Sequence, residues 1–127
     1  MSQRAILIFV ASILLMGCDS HAYYVEAQNY VSEAQQVLKD EQWCSKRASC
    51  SVNDLVKFEA GGWQLGPLNY GGVYINVYQV DDSSVSGKII ARFREKQKGM
   101  PGVPVHVKVY ASKHNEPKRL TAEAKIG

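Results

Sequence analysis

The chain has 127 residues, a formal net charge of +3 and 46% hydrophobic residues. This is the length of one small domain, and the sequence contains no internal repeat, no low-complexity linker and no second domain. The charge is unevenly distributed. Positions 19 to 85 hold nine acidic and four basic residues, a net charge of −5, whereas the residues from 86 onward hold ten basic and three acidic ones, a net charge of +7.

The chain begins with the pattern of a targeting segment. Arg4 places one positive charge in a short polar start, and the twelve residues from Ala5 to Met16 are apolar except for Ser12. Twelve residues at about 1.5 Å of rise each give roughly 18 Å, which is too short to cross the ~30 Å of bilayer hydrocarbon. The pattern therefore predicts a signal peptide.

The apolar segment ends in the motif Leu15-Met16-Gly17-Cys18, in which Gly17 and Cys18 come directly after Met16. This motif resembles the lipobox of bacterial lipoproteins, in which Leu, a small or apolar residue and Gly or Ala precede the cysteine. The resemblance covers residues 1–19 only. It implies that residues 1–17 are a signal peptide and that Cys18 carries a diacylglycerol and an amide-linked acyl chain such as palmitate. Three acyl chains would hold the single domain 18–127 permanently at a membrane. The alternatives are an ordinary secreted protein and an uncleaved N-terminal helix.

Asp19 follows the cysteine of the lipobox. In enterobacterial lipoproteins, aspartate at this place resembles the signal for retention in the inner membrane. The resemblance therefore favours the periplasmic face of the inner membrane, with the outer membrane as the alternative.

Two cysteines remain once Cys18 is assigned to lipid, namely Cys44 and Cys50. The periplasm is oxidising and only one pairing exists, so a structural disulfide is predicted. Its loop is too short to remove much unfolded-state entropy, and we expect it to hold a tight corner between two helical pieces, with Trp43 packed on it. The spacing is not Cys-x-x-Cys and no histidine lies near, which argues against a redox or metal pair.

The front of the mature chain has helical signals. From Ala22 to about Gln42 apolar residues recur every three or four positions, which predicts a long amphipathic helix. A second, short helix is predicted from Val52 to about Glu59, ending at Gly61-Gly62. The segment from Trp63 to Gly72 is dense in turn formers and is expected to be a loop or a short edge strand.

The back of the chain has strand signals. Val73 to Val80, Lys88 to Lys96 and Val103 to Ala111 each alternate apolar and polar residues, which predicts an antiparallel meander. Asp81-Asp82-Ser83-Ser84 is interpreted as a hairpin turn, and Leu120 to Ile126 could add a last short strand. The whole pattern predicts an α+β fold of two layers, with the N-terminal helix packed on a three- to four-stranded antiparallel sheet and one short disulfide loop.

The sequence carries no catalytic or cofactor motif. There is no Gly-x-Ser-x-Gly elbow, no Gly-rich phosphate loop and no His-Glu-x-x-His helix. His21, His106 and His114 do not share metal-ligand spacing. We therefore expect no enzyme, no metal and no cofactor. A small periplasmic enzyme whose catalytic residues are scattered along the chain is the alternative.

The outward face of the predicted sheet is the candidate binding surface. A basic face with interleaved aromatic residues suits an acidic envelope protein or an anionic lipid surface, and the periplasmic compartment argues against nucleic acid. The alternative is a charged face that is only solvated and that suppresses aggregation. The predicted partner-binding residues are Tyr74, Tyr78, Arg92, Arg94, His106, Lys108 and Tyr110.

These features predict a membrane-anchored, non-enzymatic envelope lipoprotein that binds another envelope component. One version is an exclusion or immunity protein, or an inhibitor whose basic residues enter the acidic cleft of a muramidase. The other version is an assembly or pilot factor of a larger envelope machine.

Overall fold

The structure is a computed structural model of the chain. It describes residues 25–65, 68–99 and 103–127, and for 60–65 and 68–72 the backbone only. The predicted signal peptide and Cys18 lie outside the described residues. The elements in chain order are helix α1 (described over 25–40), a 3-10 turn (Cys44–Lys46), α2 (Val52–Leu55), β1 (Val56–Leu65), β2 (Leu68–Val77), α3 (Ser83–Lys98), β3 (Val105–Tyr110) and β4 (Leu120–Ile126).

The four strands form one mixed sheet in the order β1-β2-β3-β4. β1 and β2 pair antiparallel, β2 and β3 pair parallel, and β3 and β4 pair antiparallel. A parallel pair needs a crossover connection, which α3 supplies. The predicted α+β fold, with a helix packed on a four-stranded sheet, is confirmed. The sheet is mostly antiparallel, and its one parallel pair replaces the predicted meander.

The core lies between the two long helices and one face of the sheet, which we call the inner face. Tyr30 of α1 and Phe93 of α3 are fully buried, and their rings meet edge to face with centroids 5.1 Å apart. Alternate residues of β2 and β3 pack beneath them because a strand presents every second side chain to the same face. These buried strand residues are Val73, Ile75, Val77, Val105, Val107 and Val109.

The predicted strand from Lys88 to Lys96 is wrong, since this segment belongs to helix α3. The buried residues of α3 are Val85, Ser86, Ile89 and Phe93, a spacing that follows the helical period. In an alternating strand Ala91 would share a face with Ile89 and Phe93, but Ala91 is exposed and Ile90 is half-buried. The segment fits both the helical period and the strand period, and the packing of α3 against α1 and the sheet stabilises the helix.

Asp82 begins helix α3, so the predicted hairpin turn at this place is also wrong. Its side-chain Oδ1 accepts hydrogen bonds from the backbone N–H groups of Ser84, at 2.8 Å, and of Val85, at 3.3 Å. Aspartate is among the preferred residues at this position because it satisfies backbone donors that the first helical turn leaves unpaired.

The predicted second helix is shorter than expected, since α2 ends at Leu55 and β1 begins at Val56. Val56 pairs with Val77 and Phe58 with Ile75. Hydrogen bonding to β2 and burial on the inner face thus outweigh the local helical tendency of the residues after Leu55. The strand continues through Gly61-Gly62, and most of the segment expected as a loop belongs to β1 and β2.

The predicted helix at the front, the last strand and the disulfide are confirmed. The Cα atoms of Cys44 and Cys50 are 5.0 Å apart in a corner between α1 and α2, and both cysteines pack against the core. Trp43 is buried beside them, and the guanidinium of Arg47 lies 3.3 Å above the centre of its ring. The disulfide corner thus packs against the core at the end of α1.

Candidate partner-binding surface

The structure separates the seven predicted binding residues into two groups. Tyr74, Tyr78, His106, Lys108 and Tyr110 alternate with the buried residues of β2 and β3, so they lie on the outer face of the sheet, opposite the helices. Arg92 and Arg94 lie on α3, in the helical layer. The predicted placement of these two arginines on the sheet was therefore wrong, for the same reason that the strand prediction was.

A seam of ion pairs joins α3 to α1. Arg92 Nη1 is 3.1 Å from Glu33 Oε2, and its Nη2 is 3.6 Å from Asp40 Oδ2. Lys88 Nζ lies 2.6 Å from Glu41 Oε1. A groove of about 340 Å³ runs along this seam. The acidic front of the chain thus pairs with part of its basic back, which reduces the positive charge available to a partner.

At the centre of the outer face, Tyr74 of β2 lies opposite His106 of β3, with ring centroids 5.7 Å apart. His106 is only 8% exposed, and its Nε2 donates to Glu123 Oε1 of β4 at 2.7 Å. This hydrogen bond lowers the pKa of Glu123 below its ordinary value of 4.5. Glu123 was not predicted to belong to the site because it is distant in sequence and lies on a strand of its own.

Two stacked tyrosines occupy one end of the outer face. The rings of Tyr78 and Tyr110 are nearly parallel, with centroids 5.2 Å apart, and both residues are at least 95% buried. Burial, and secondarily the charge of Glu59, raises the pKa of each hydroxyl. The buried hydroxyl of Tyr78 has no hydrogen-bond partner in the described part of the chain, an arrangement that costs about 1–3 kcal/mol.

Two exposed side chains from the loop between β3 and β4 cover this stack. The ring of His114 meets Tyr78 edge to face at 4.9 Å, and Lys118 Nζ lies 5.4 Å from the centre of the Tyr110 ring. The loop is closed by the hydrogen bond from Ala111 N to Arg119 O at 2.8 Å. Neither His114 nor Lys118 was predicted to join the site, because both lie in a polar segment outside the predicted strands.

These contacts define the outer-face cluster. Its accessible members are half-buried Tyr74 and Lys108 and exposed His114 and Lys118, and the remaining members support them from below. The cluster offers aromatic stacking, hydrogen-bond donors and positive charge, which are the means by which proteins recognise one another. The outer-face cluster consists of Tyr74, Tyr78, His106, Lys108, Tyr110, His114 and Lys118.

No group of His, Cys, Asp or Glu side chains among the described residues is arranged to hold a metal ion. A second groove, of about 300 Å³, lies between α1 and β1, and neither groove is lined by His106 or Glu123. None of the helices in the described ranges has the length and apolar character needed to cross a membrane.

The molecule has two distinct ends. Helices α1 and α3 run antiparallel, since Tyr30 OH donates to Gln97 Oε1 at 2.6 Å and Glu41 pairs with Lys88. The start of the described part of α1 therefore lies where α3 ends and β3 begins, which we call the proximal end. The loop between β3 and β4 and the disulfide corner lie at the other, distal end.

Comparison of the chain with protein-family models, with curated proteins and with solved structures finds no match.

Proposed function

We propose that the protein is a lipid-anchored protein of the bacterial envelope whose domain, without catalytic activity, binds an acidic protein partner through the outer-face cluster. The observation that carries this proposal is the set of aromatic side chains on the outer face, of which the stack of Tyr78 and Tyr110 is covered by His114 and Lys118. Both helices pack on the inner face, so the outer face is the side on which no described helix lies. Rigid aromatic groups beside a cation are typical centres of protein interfaces.

The lipobox and the position of α1 support a definite orientation. Val25 is seven residues after Cys18, and seven extended residues span at most about 25 Å. An anchor at Cys18 therefore holds the proximal end close to the bilayer and leaves the distal end, with His114 and Lys118, facing away. This orientation favours a protein partner over the lipid of the anchoring membrane.

The charge of the distal end supports an acidic partner. The loop from 111 to 119 carries Lys113, Lys118 and Arg119 but only one acidic residue, Glu116, and all four are exposed. Clustered charges of one sign attract a partner of the opposite sign and accelerate its association. Lys108 adds a further positive charge on the adjacent strand.

The anchor is tested by labelling cells that express the full chain with a clickable palmitate analogue. The unaltered protein should take up the label and fractionate with membranes, and Cys18→Ser should lose both properties. The control is the double variant Cys44→Ser and Cys50→Ser, which should remain labelled because the lipobox is intact. Absence of label from the unaltered protein would contradict the anchor.

The binding surface is tested by photo-crosslinking in the native cell. A benzophenone amino acid placed at Tyr74 or at His114 should give a protein adduct that mass spectrometry identifies. The control is the same group at Arg94, an exposed residue in the helical layer, which should not give that adduct. Adducts to lipid alone, or the same adducts from all three positions, would contradict the proposal. Lys118→Glu should lower the yield from His114 if the partner is acidic.

A further inference from the structure

Strand β4 lies at one edge of the sheet, because the strand order is β1-β2-β3-β4. None of the described strands pairs with the outer side of β4. Such an edge presents a row of backbone donors and acceptors that can pair with a strand of another chain. β4 follows β3 in unbroken register from Ala122 to Ile126, with one irregularity before Ala122. This regular stretch is the part of the edge that a second strand can follow.

The hydrogen-bond pattern of the sheet shows which residues of β4 direct their backbone groups to this edge. Val73 N donates to Pro104 O at 2.9 Å, so the even-numbered residues of β3 direct their backbone groups to β2. The odd-numbered residues of β3 therefore face β4, where their partners are residues 122, 124 and 126. The backbone N–H and C=O groups of Glu123 and Lys125 consequently point away from β3, toward the outer edge.

The side chains of this stretch carry a self-complementary pattern of charge. Glu123 and Lys125 are exposed on the outer face, and Ala124 between them is buried on the inner face. The Glu123 side chain is 42% exposed, and a carboxylate that accepts from His106 through one oxygen can accept further hydrogen bonds. An antiparallel copy of the same stretch reverses the order of the two charges. Each charge can therefore meet its opposite.

We propose that a second copy of the chain pairs antiparallel with β4, across a two-fold axis at Ala124, so that the two sheets become one. Glu123 of each copy then lies opposite Lys125 of the other, which stabilises the pair, and these residues exchange their backbone hydrogen bonds. A shift of two residues would place Glu123 opposite Glu123, or Lys125 opposite Lys125. A shift of one residue would present backbone groups that already bond to β3. Charge and hydrogen bonding thus select one register.

The pairing changes how the protein faces a membrane. The two-fold axis is perpendicular to the joined sheet, so both helical layers lie on one side, both outer faces lie on the other, and the proximal ends point in opposite directions. With Cys18 lipidated as proposed, both linkers start in the helical layers and reach one bilayer most directly when those layers face it. Pairing thus turns both outer-face clusters away from the membrane. This consequence rests on the proposed anchor, whereas the pairing itself does not, so the failure of one leaves the other intact.

Cysteine crosslinking in cells that express the full chain tests the pairing. Ala124→Cys places two thiols across the axis, where the Cα atoms of such a non-hydrogen-bonded pair are about 4.5 Å apart, within the range of a disulfide. Ala122→Cys is the matched control, because it lies on the same face of β4 but its two copies are about 13 Å apart. With an added oxidant, Ala124→Cys should give a covalent dimer on a non-reducing gel, and Ala122→Cys and the unaltered chain should not. Dimer from neither variant, or equal amounts from both, would overturn the proposal.

Charge reversal tests the register. In the Ala124→Cys chain, Glu123→Lys or Lys125→Glu brings like charges together at both pairs and should lower the yield of dimer by roughly fivefold or more. Co-expression of the two reversed chains, with tags of different size, restores opposite charges at both pairs, so the mixed dimer should form at about the original yield. Normal accumulation of each reversed chain shows that it folds, and if either chain fails to accumulate, the comparison of Ala124→Cys with Ala122→Cys decides alone. An unchanged yield after reversal, or a mixed dimer as scarce as the same-chain dimers of folded chains, would contradict the pairing.

Discussion

The hydrogen bond between His106 and Glu123 links two strands on the outer face and determines how a single carboxyl group titrates. It lowers the pKa of Glu123 below 4.5, its ordinary value. Between the folded pKa and 4.5 the unfolded chain binds more protons than the folded one, so stability rises with pH in that interval. The contribution of Glu123 is therefore present above pH 4.5 and is lost as the pH falls through the folded pKa.

The variant His106→Phe should raise the pKa of Glu123 toward 4.5, because it removes the donor that favours the carboxylate. An NMR titration of the Glu123 carboxyl carbon measures this directly. The control is His114→Phe, since His114 contacts Tyr78 rather than Glu123. If the titration midpoint of Glu123 is the same with and without His106, the hydrogen bond is not the cause of the shift.

At the scale of elements, the start of α3 depends on one carboxylate. Asp82→Ala should destabilise the domain by about 1 kcal/mol, because two backbone donors of the first turn lose their acceptor. Asp81→Ala is the matched control, since Asp81 is the exposed residue just before the cap and is not an acceptor for these donors. Urea denaturation of both variants gives the two free energies. Equal losses would show that the cap is not the relevant interaction.

The seam between α1 and α3 predicts different roles for two arginines on one helix. Arg92→Ala should cost about 0.5–1 kcal/mol, because Arg92 pairs with both Glu33 and Asp40 at a partly exposed site. Arg94→Ala should change stability by less than about 0.5 kcal/mol, as expected of an exposed residue outside the seam.

Urea denaturation with and without 1 M salt measures this difference, since salt screens exposed charges. The loss from Arg92→Ala should shrink in high salt. A loss that does not depend on salt would mean that the packing of the Arg92 side chain, and not its charge, stabilises the contact.

At the scale of the whole molecule, one core joins the acidic front to the basic back. Phe93 of α3 is fully buried and meets Tyr30 of α1 above the sheet. Phe93→Ala should cost about 3–5 kcal/mol, a large part of the 5–15 kcal/mol of a typical domain. Thermal unfolding followed by circular dichroism should show a transition at a much lower temperature, or a less cooperative one. Phe93→Leu, which keeps most of the volume, should lose under about 1.5 kcal/mol.

Local patterns were sufficient for several parts of the fold. The helical period over 25–40 identified α1, and the alternation from Val105 to Tyr110 identified β3, because each segment fits only one period. The pairing of Cys44 with Cys50 followed from an even count once Cys18 was assigned. Two layers then followed, since an apolar helix face and an apolar sheet face must bury each other.

Other parts of the fold depended on contacts between distant residues. The pattern of residues 88–96 fits both a strand and a helix, and burial against α1 and the sheet stabilises the helix. Arg92 and Arg94 therefore lie in the helical layer and not on the outer face of the sheet. β1 passes through Gly61-Gly62 because β2 supplies its hydrogen bonds.

The sequence by itself thus determined the disulfide and the two-layer class, which depend on short-range spacing. Tertiary structure alone decided the pairing of His106 with Glu123 and the covering of Tyr78 and Tyr110 by the loop between β3 and β4. These contacts form only when strands that are distant in sequence become neighbours in the sheet. No short-range pattern in the sequence relates the side chains involved.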